Sequence, residues 1–140
     1  MNVTQPALPQ IKLVPTPRSK PFWDALNAHR VDIQQCDDCG KWIFFPRMHC
    51  TGCFSQNLTW KTISGTGTLL TYTIARVPTM PQFADQPPQQ MAVVQFDEGP
   101  HINTTLVDMA EDAIRIGMRV KPVFDDVEPG EVTLLRYTAG

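Results

Sequence analysis

Apolar positions change their period twice along the chain. Over Lys20–Arg30, the residues Phe22, Trp23, Leu26 and His29 recur near helical spacing. This predicts a short amphipathic helix with Ser19 as its N-cap and Pro21 in its first turn. Such a helix is too short to stand alone in water. Its Phe22–Trp23 face is therefore expected to pack on something, and a second protein is one candidate. Short apolar runs follow at Val31–Gln35, Trp42–Phe45 and Leu58–Ile63, and each reads as a strand. Beyond Ser64-Gly65 the pattern is β throughout. Gly67–Val77, Met91–Phe96, His101–Val107, Met118–Phe124 and Glu131–Arg136 are rich in β-branched and aromatic residues. Turn signals at Pro78–Pro88, Glu98-Gly99-Pro100, Asp108–Gly117 and Glu128-Pro129-Gly130 separate them. Ala110–Ile116 reads as one helical turn. About five strands with the longest first suggest a small Greek-key barrel of the OB type. The fold expected is mainly β, in three parts. Residues 1–31 form a proline-rich arm and short helix, 32–63 a zinc ribbon, and 64–140 the barrel.

Four cysteines sharpen the middle part. Cys36-Asp-Asp-Cys39-Gly40 is followed, ten residues later, by Cys50-Thr-Gly-Cys53. Two residues between cysteines let a tight turn aim both thiolates at one ion, and Gly40 supplies the positive φ such a knuckle needs. Two pairs close a tetrahedral four-sulfur site with no open position, which is a structural rather than a catalytic arrangement. A rubredoxin-like iron would use similar geometry. Two disulfides, free thiols and substitution of His49 for one cysteine are the remaining readings. Lys41 and Arg47 flank the cluster, where they would offset thiolate charge.

Composition bounds the partners. The formal charge is −2, a poor electrostatic footprint for a nucleic-acid binder. No run approaches the ~18 apolar residues of a membrane span. Met1–Leu13 is polar, proline-broken and without an apolar segment, so it does not read as a signal peptide. These features lead us to expect a cytoplasmic protein, where four cysteines are metal ligands more often than disulfides.

The chemistry of catalysis is sparse. His29 and His101 sit in no recognisable motif. There is no Gly-x-Ser-x-Gly elbow, no His-Glu-x-x-His and no phosphate-binding glycine loop. With the thiols given to a metal, no cysteine nucleophile remains. Asp97-Glu98 and Asp125-Asp126 are adjacent acids that read as solvated turn charges. This favours a binding or accessory subunit over a self-sufficient enzyme. Tyr72 and Phe96 on strands leave one alternative, a single-stranded nucleic-acid-binding module in which they stack bases. The Pro78–Gln90 loop is long for a barrel connection and carries Met80 and Phe83, an apolar face for a ligand or partner.

An ordered set of residues carries a family resemblance. It comprises Pro21-Phe22-Trp23, Cys36–Cys39-Gly40, Phe45-Pro46-Arg47, Cys50–Cys53, Ser64-Gly65-x-Gly67-Thr68 with Tyr72-Thr73, and Ile116-Gly117-Met118-x-Val120 followed by Phe124. Over residues 20–138 the chain resembles the zinc-ribbon OB-fold family associated with acyl-CoA metabolism, the accessory proteins of thiolases, aldolases and hydratases. The resemblance implies a structural zinc on Cys36, Cys39, Cys50 and Cys53. It also implies a hetero-oligomer with a thiolase-like enzyme (a thiolase, acyltransferase or retro-aldolase) that makes or breaks carbon–carbon bonds in acyl-CoA thioesters. The small protein would stabilise that enzyme, bridge subunits or help bind the coenzyme A ester. No family catalytic residue carries over. Because CoA phosphates need cationic donors, Lys41, Arg47 and Arg76 are the candidate contacts.

Overall fold

The computed structural model describes residues 12–78 and 80–140. The part of the proline-rich arm at 1–11 and Thr79 of the long loop lie outside the described residues. One helix, α1 (Lys20–Asn27), is followed by eight strands: β1 (Val31–Cys36), β2 (Trp42–Ile43), β3 (Leu58–Ile63), β4 (Gly67–Ala75), β5 (Gln89–Phe96), β6 (His101–Leu106), β7 (Arg119–Glu128) and β8 (Val132–Ala139). The first three form an antiparallel sheet in the order β2-β1-β3, and the last five close a barrel in the order β4-β5-β6-β8-β7. That strand order, with its single parallel contact between β6 and β8 at Leu106 and Tyr137, is the Greek-key OB topology expected from the sequence. Short 3-10 turns lie at Pro81–Phe83 and Glu111–Ala113. Among the described residues, no helix is long and apolar enough to cross a membrane.

Both ends of α1 differ from expectation, for local reasons. Ser19 does not cap the helix; its backbone is already helical. The cap is Thr16, three residues earlier. The Ser19 amide donates to Thr16 Oγ1 at 3.2 Å, and the Thr16 amide donates to Ser19 Oγ at 3.0 Å. This is a reciprocal capping box over the turn that leads into α1, and Pro21 lies in the first turn of the helix as expected. At the other end the helix stops at Asn27 rather than Arg30. His29 adopts φ 57°, its amide donates to the Leu26 carbonyl, and the Arg30 amide reaches back to the Ala25 carbonyl at 2.9 Å. These paired bonds are a Schellman motif, with histidine where glycine is usual. The imidazole is held by what it touches. It stacks on Phe124 with centroids 5.1 Å apart, and Nε2 lies 3.0 Å from both carboxylate oxygens of Asp126.

One apolar core runs through all three parts. Phe22 and Leu26 of α1, Val31, Ile33 and Ile63 of the sheet, and Leu69, Val94, Phe96, Val120 and Tyr137 of the barrel belong to one buried cluster. The turn from ribbon to barrel is tight enough to demand glycine. At Gly65 (φ 76°) an added Cβ would sit 2.9 Å from Val31 Cγ2. At Gly67 it would overlap the Gln95 carbonyl. Tyr137, fully buried, donates its hydroxyl to the Gly65 carbonyl at 2.5 Å. Nearby, Arg119 grips Asp97 through two nitrogens at 2.6 and 2.8 Å, joining the end of β5 to the start of β7.

Two outcomes follow for stability. Tyr137→Phe leaves the buried Gly65 carbonyl without its donor and should cost about 1–3 kcal/mol in urea unfolding, with metal content unchanged. Donation from Arg119, then from Thr66, pulls the Asp97 carboxyl down to about 2. Its folded value lies below the ~3.9 of an unfolded chain. The contribution is therefore present above that value and is lost as pH falls through about 4 toward 2. Asp97→Asn should make the loss of stability over that acid window shallower, as read by urea melts.

Candidate metal centre and the flanking pockets

The ribbon sheet brings the two cysteine turns together. Cys36 ends β1, and the Gly40 amide bonds the Cys36 carbonyl at 2.9 Å, closing the first turn with Gly40 at φ 77° as expected. The second turn closes with the Phe54 amide on the Cys50 carbonyl at 3.1 Å, and Phe54 takes φ 63°. Cys36 and Cys50 are buried against Ile43, while Cys39 and Cys53 face outward. All four sulfurs lie within 4.8 Å of one another. The cross-turn separations are 3.6 Å for Cys36–Cys53 and 3.5 Å for Cys39–Cys50. These are far too long for a disulfide. An ion bonded at about 2.3 Å to four tetrahedral sulfurs would hold them about 3.8 Å apart, so the four side chains already stand close to that spacing.

Electrostatics point the same way. The Cys53 amide pulls the Cys50 thiol down to about 6. The Ser55 amide favours the thiolate of Cys53 too, but the crowd of thiols, Cys36 first, pushes Cys53 up to about 12. One thiolate forms readily and the next are opposed by its charge, so full ionisation requires a cation among them. The donor set and its closed geometry fit a structural zinc. His49 stands outside the cluster, with its Nε2 2.9 Å from the Gln56 side-chain nitrogen. The outer shell is polar: Asp38 accepts from Ser55 and Asn57, and Asp37 accepts from Thr59 at 2.7 Å.

Between the two turns the chain runs as a ridge over Lys41–Arg47. The Cys36 amide donates to the Lys41 carbonyl at 2.9 Å. The buried Gln34 side chain holds both backbone groups of Arg47, accepting from its amide at 2.7 Å and donating to its carbonyl at 3.0 Å. Lys41 and Arg47 border one pocket, together with Trp42, Phe44, Thr51 and the Glu98–Pro100 turn. Neither has an ion-pair partner among the described residues. Arg76 is elsewhere. It borders a different pocket beside the Pro78–Gln89 loop, and Glu111 holds its guanidinium at 2.8 Å.

The structure shows where the aromatic residues pack. The Phe22 side of the helix packs as expected, but within this chain rather than on a second protein: Phe22 is 6% exposed and its ring packs 5.3 Å from both Trp23 and Phe44. Only Trp23 keeps an open edge. Phe96 is buried as well, so it shares no stacking platform with half-buried Tyr72. The adjacent acids are mostly engaged: Asp97 by Arg119, Asp125 by Arg136 at 2.9 Å, and Asp126 by His29 and Thr133. The Gln34 clamp was not anticipated. A lone glutamine carries no sequence signal, but the Phe-Phe-Pro run could have flagged the ridge.

Comparison with known proteins agrees with this architecture. Residues 23–59 match the family described as ChsH2, rubredoxin-like zinc ribbon domain, and residues 60–125 match ChsH2, C-terminal OB-fold domain. A DUF35 domain-containing scaffold protein of Methanothermobacter thermautotrophicus is 35% identical over 74% of this chain and 78% of its own length. The chain belongs to the DUF35 zinc-ribbon OB-fold family. A probable enoyl-CoA hydratase alpha subunit of Thermomonospora curvata is 35% identical over 84% of this chain, which spans only 36% of that protein. Among solved structures, a chain of one described as Ltp2-ChsH2(DUF35) aldolase superposes with a TM-score of 0.80 at 29% identity, over 91% of this chain and 98% of that one. A DUF35 family protein from Sulfolobus solfataricus shares the fold at a TM-score of 0.63 and 17% identity.

As purified, this DUF35 protein should carry about one zinc per chain. Cys39→Ser, at an exposed ligand position, should lose most of it. Because the ligands must be deprotonated, wild-type protein dialysed against a chelator should surrender zinc faster at pH 5 than at pH 7.5, as read by atomic absorption.

Proposed function

We propose that this protein is an accessory subunit of a thiolase-like enzyme that makes or breaks carbon–carbon bonds in acyl-CoA thioesters. One observation carries the proposal most: nearly the whole chain superposes on nearly the whole of a chain from an aldolase structure whose description names the same family. A relative named as a hydratase subunit and relatives named as scaffolds support the same reading. The four cysteines would hold zinc as a structural staple, leaving the chemistry to the partner. Lys41 and Arg47 would meet the phosphates of coenzyme A, since two cations without an ion-pair partner among the described residues share one pocket with Trp42. Arg76 would have to leave Glu111 to join them. The acidic net charge and the burial of Phe96 give the nucleic-acid reading no support.

Native mass spectrometry of the protein, purified at low salt from its own source, should show a zinc-bearing hetero-oligomer with a thiolase-like chain. A zinc-bearing chain that remains alone across concentrations would overturn the proposal. Within the complex, Arg47→Ala should raise KM for the acyl-CoA substrate roughly tenfold with kcat little changed, the loss of one charge-assisted contact. The ridge should survive the change, because Gln34 holds only the Arg47 backbone.

A further inference from the structure

A polar tie joins the two cysteine turns without passing through the metal. Asp38 lies between the cysteines of the first turn, and Ser55 to Asn57 carry the chain from the second turn toward β3. One oxygen of Asp38, Oδ2, accepts from the Ser55 hydroxyl and, at 3.0 Å, from the Asn57 side-chain amide. The Asn57 backbone amide donates to Ser55 Oγ at 3.0 Å. The Asp37 amide closes the ring on the Asn57 carbonyl at 2.8 Å.

Ser55 in turn holds two of the four ligands. Its carbonyl accepts from the Cys50 amide at 2.8 Å. Its own amide bonds the Cys53 sulfur and favours the thiolate there. The cluster is two-sided, with Cys36 and Cys50 buried and Cys39 and Cys53 exposed. A competing thiol or chelator therefore meets Cys39 and Cys53 first. Cys53 cannot swing away without breaking its bond to Ser55, and Ser55 is pinned by Asp38.

Charge and hydrogen bonding make opposite demands on Asp38. Four thiolates around one divalent ion keep an excess of negative charge. A carboxylate beside them adds to it, so by charge alone the loss of Asp38 would tighten the site. By hydrogen bonding its loss would loosen the site, because groups that orient metal ligands are commonly worth about 10–100-fold in affinity. Asp38 is exposed, so its charge is screened by solvent, while its bonds to Ser55 and Asn57 are charge-assisted and directional. The bonds prevail. Asp37 provides an internal reference: it carries the same charge one residue earlier, but its carboxylate accepts from Thr59 on β3 and not from Ser55.

We infer that Asp38 is a positioning residue for the metal, which through Ser55 and Asn57 holds the exposed side of the cluster closed and sets how fast zinc leaves to a competing ligand. The inference concerns the ribbon alone and does not rest on the acyl-CoA reading above.

The test uses the zinc-loaded full chain. Zinc content is measured first, and transfer to an excess of the chromogenic chelator pyridylazoresorcinol is then followed at pH 7.5. Asp38→Ala should release zinc about tenfold faster than wild type. Ser55→Ala should also release it faster. The double variant should fall well short of the product of the two single effects, because both substitutions cut the same tie. Asp38→Asn keeps an acceptor oxygen and should restore most of the wild-type rate. Asp37→Asn loses the same charge and should release zinc no faster than wild type. Release from Asp38→Ala at the wild-type rate or slower overturns the inference. So does an acceleration shared by Asp38→Asn and Asp37→Asn, which would assign the effect to charge rather than to the tie. If Asp38→Ala takes up no zinc, Ser55→Ala decides: faster release supports the inference, and the wild-type rate overturns it.

Discussion

Four thiolates within 4.8 Å of one another repel unless a cation sits among them, and much of the structure depends on that requirement being met. The ribbon sheet is thin: β2 has two residues and pairs with β1 at two positions. Left to its backbone bonds, such a sheet would be marginal. A structural zinc in isolated finger peptides contributes about 10–16 kcal/mol to folding, enough to hold a segment that buries little apolar surface of its own. The metal centre therefore fixes two chain turns, and the turns fix the ridge between them. The pocket bordered by Lys41 and Arg47 lies against that ridge.

The ribbon is not an independent bead. Val31, Ile33 and Ile63 share a core with the barrel and with α1. The join at Gly65 and Gly67 has no room for a side chain, and Tyr137 reaches across from β8 to bond it. At the far end, His29 stacks on Phe124 and pairs with Asp126, and Asn27 donates to the Glu131 carbonyl at 3.2 Å. The β7–β8 hairpin thus braces the end of α1. These contacts hold the helix against the barrel.

The features readable in advance were those with strong local causes. The two cysteine pairs, the positive φ of Gly40 and the alternation in the barrel strands follow from covalent geometry and side-chain period. The features missed depend on neighbours distant in sequence. Ser19 looks like a cap, yet Thr16 and Pro17 capture the turn first. His29 fits a helical stripe, but Phe124 and Asp126 reward the left-handed conformation that ends the helix early. What Phe22 and Phe96 pack against was not legible, because it takes the ribbon folding onto the barrel to bring both rings to Phe44. The pairing of Lys41 with Arg47, and the separation of Arg76 from them, depends on the metal-centre turns and on Glu111, neither of which a charge pattern encodes.

The most direct test of this account is hydrogen exchange on the full chain before and after zinc removal at constant pH. If the metal centre holds the ridge, the amides of Cys36, of strand β2 and of Arg47 should lose protection together, while those of β4, β5 and β8 in the barrel largely keep theirs. Ridge amides that stay as protected without zinc as with it would contradict the account, and would show that packing on the barrel alone sets the ridge.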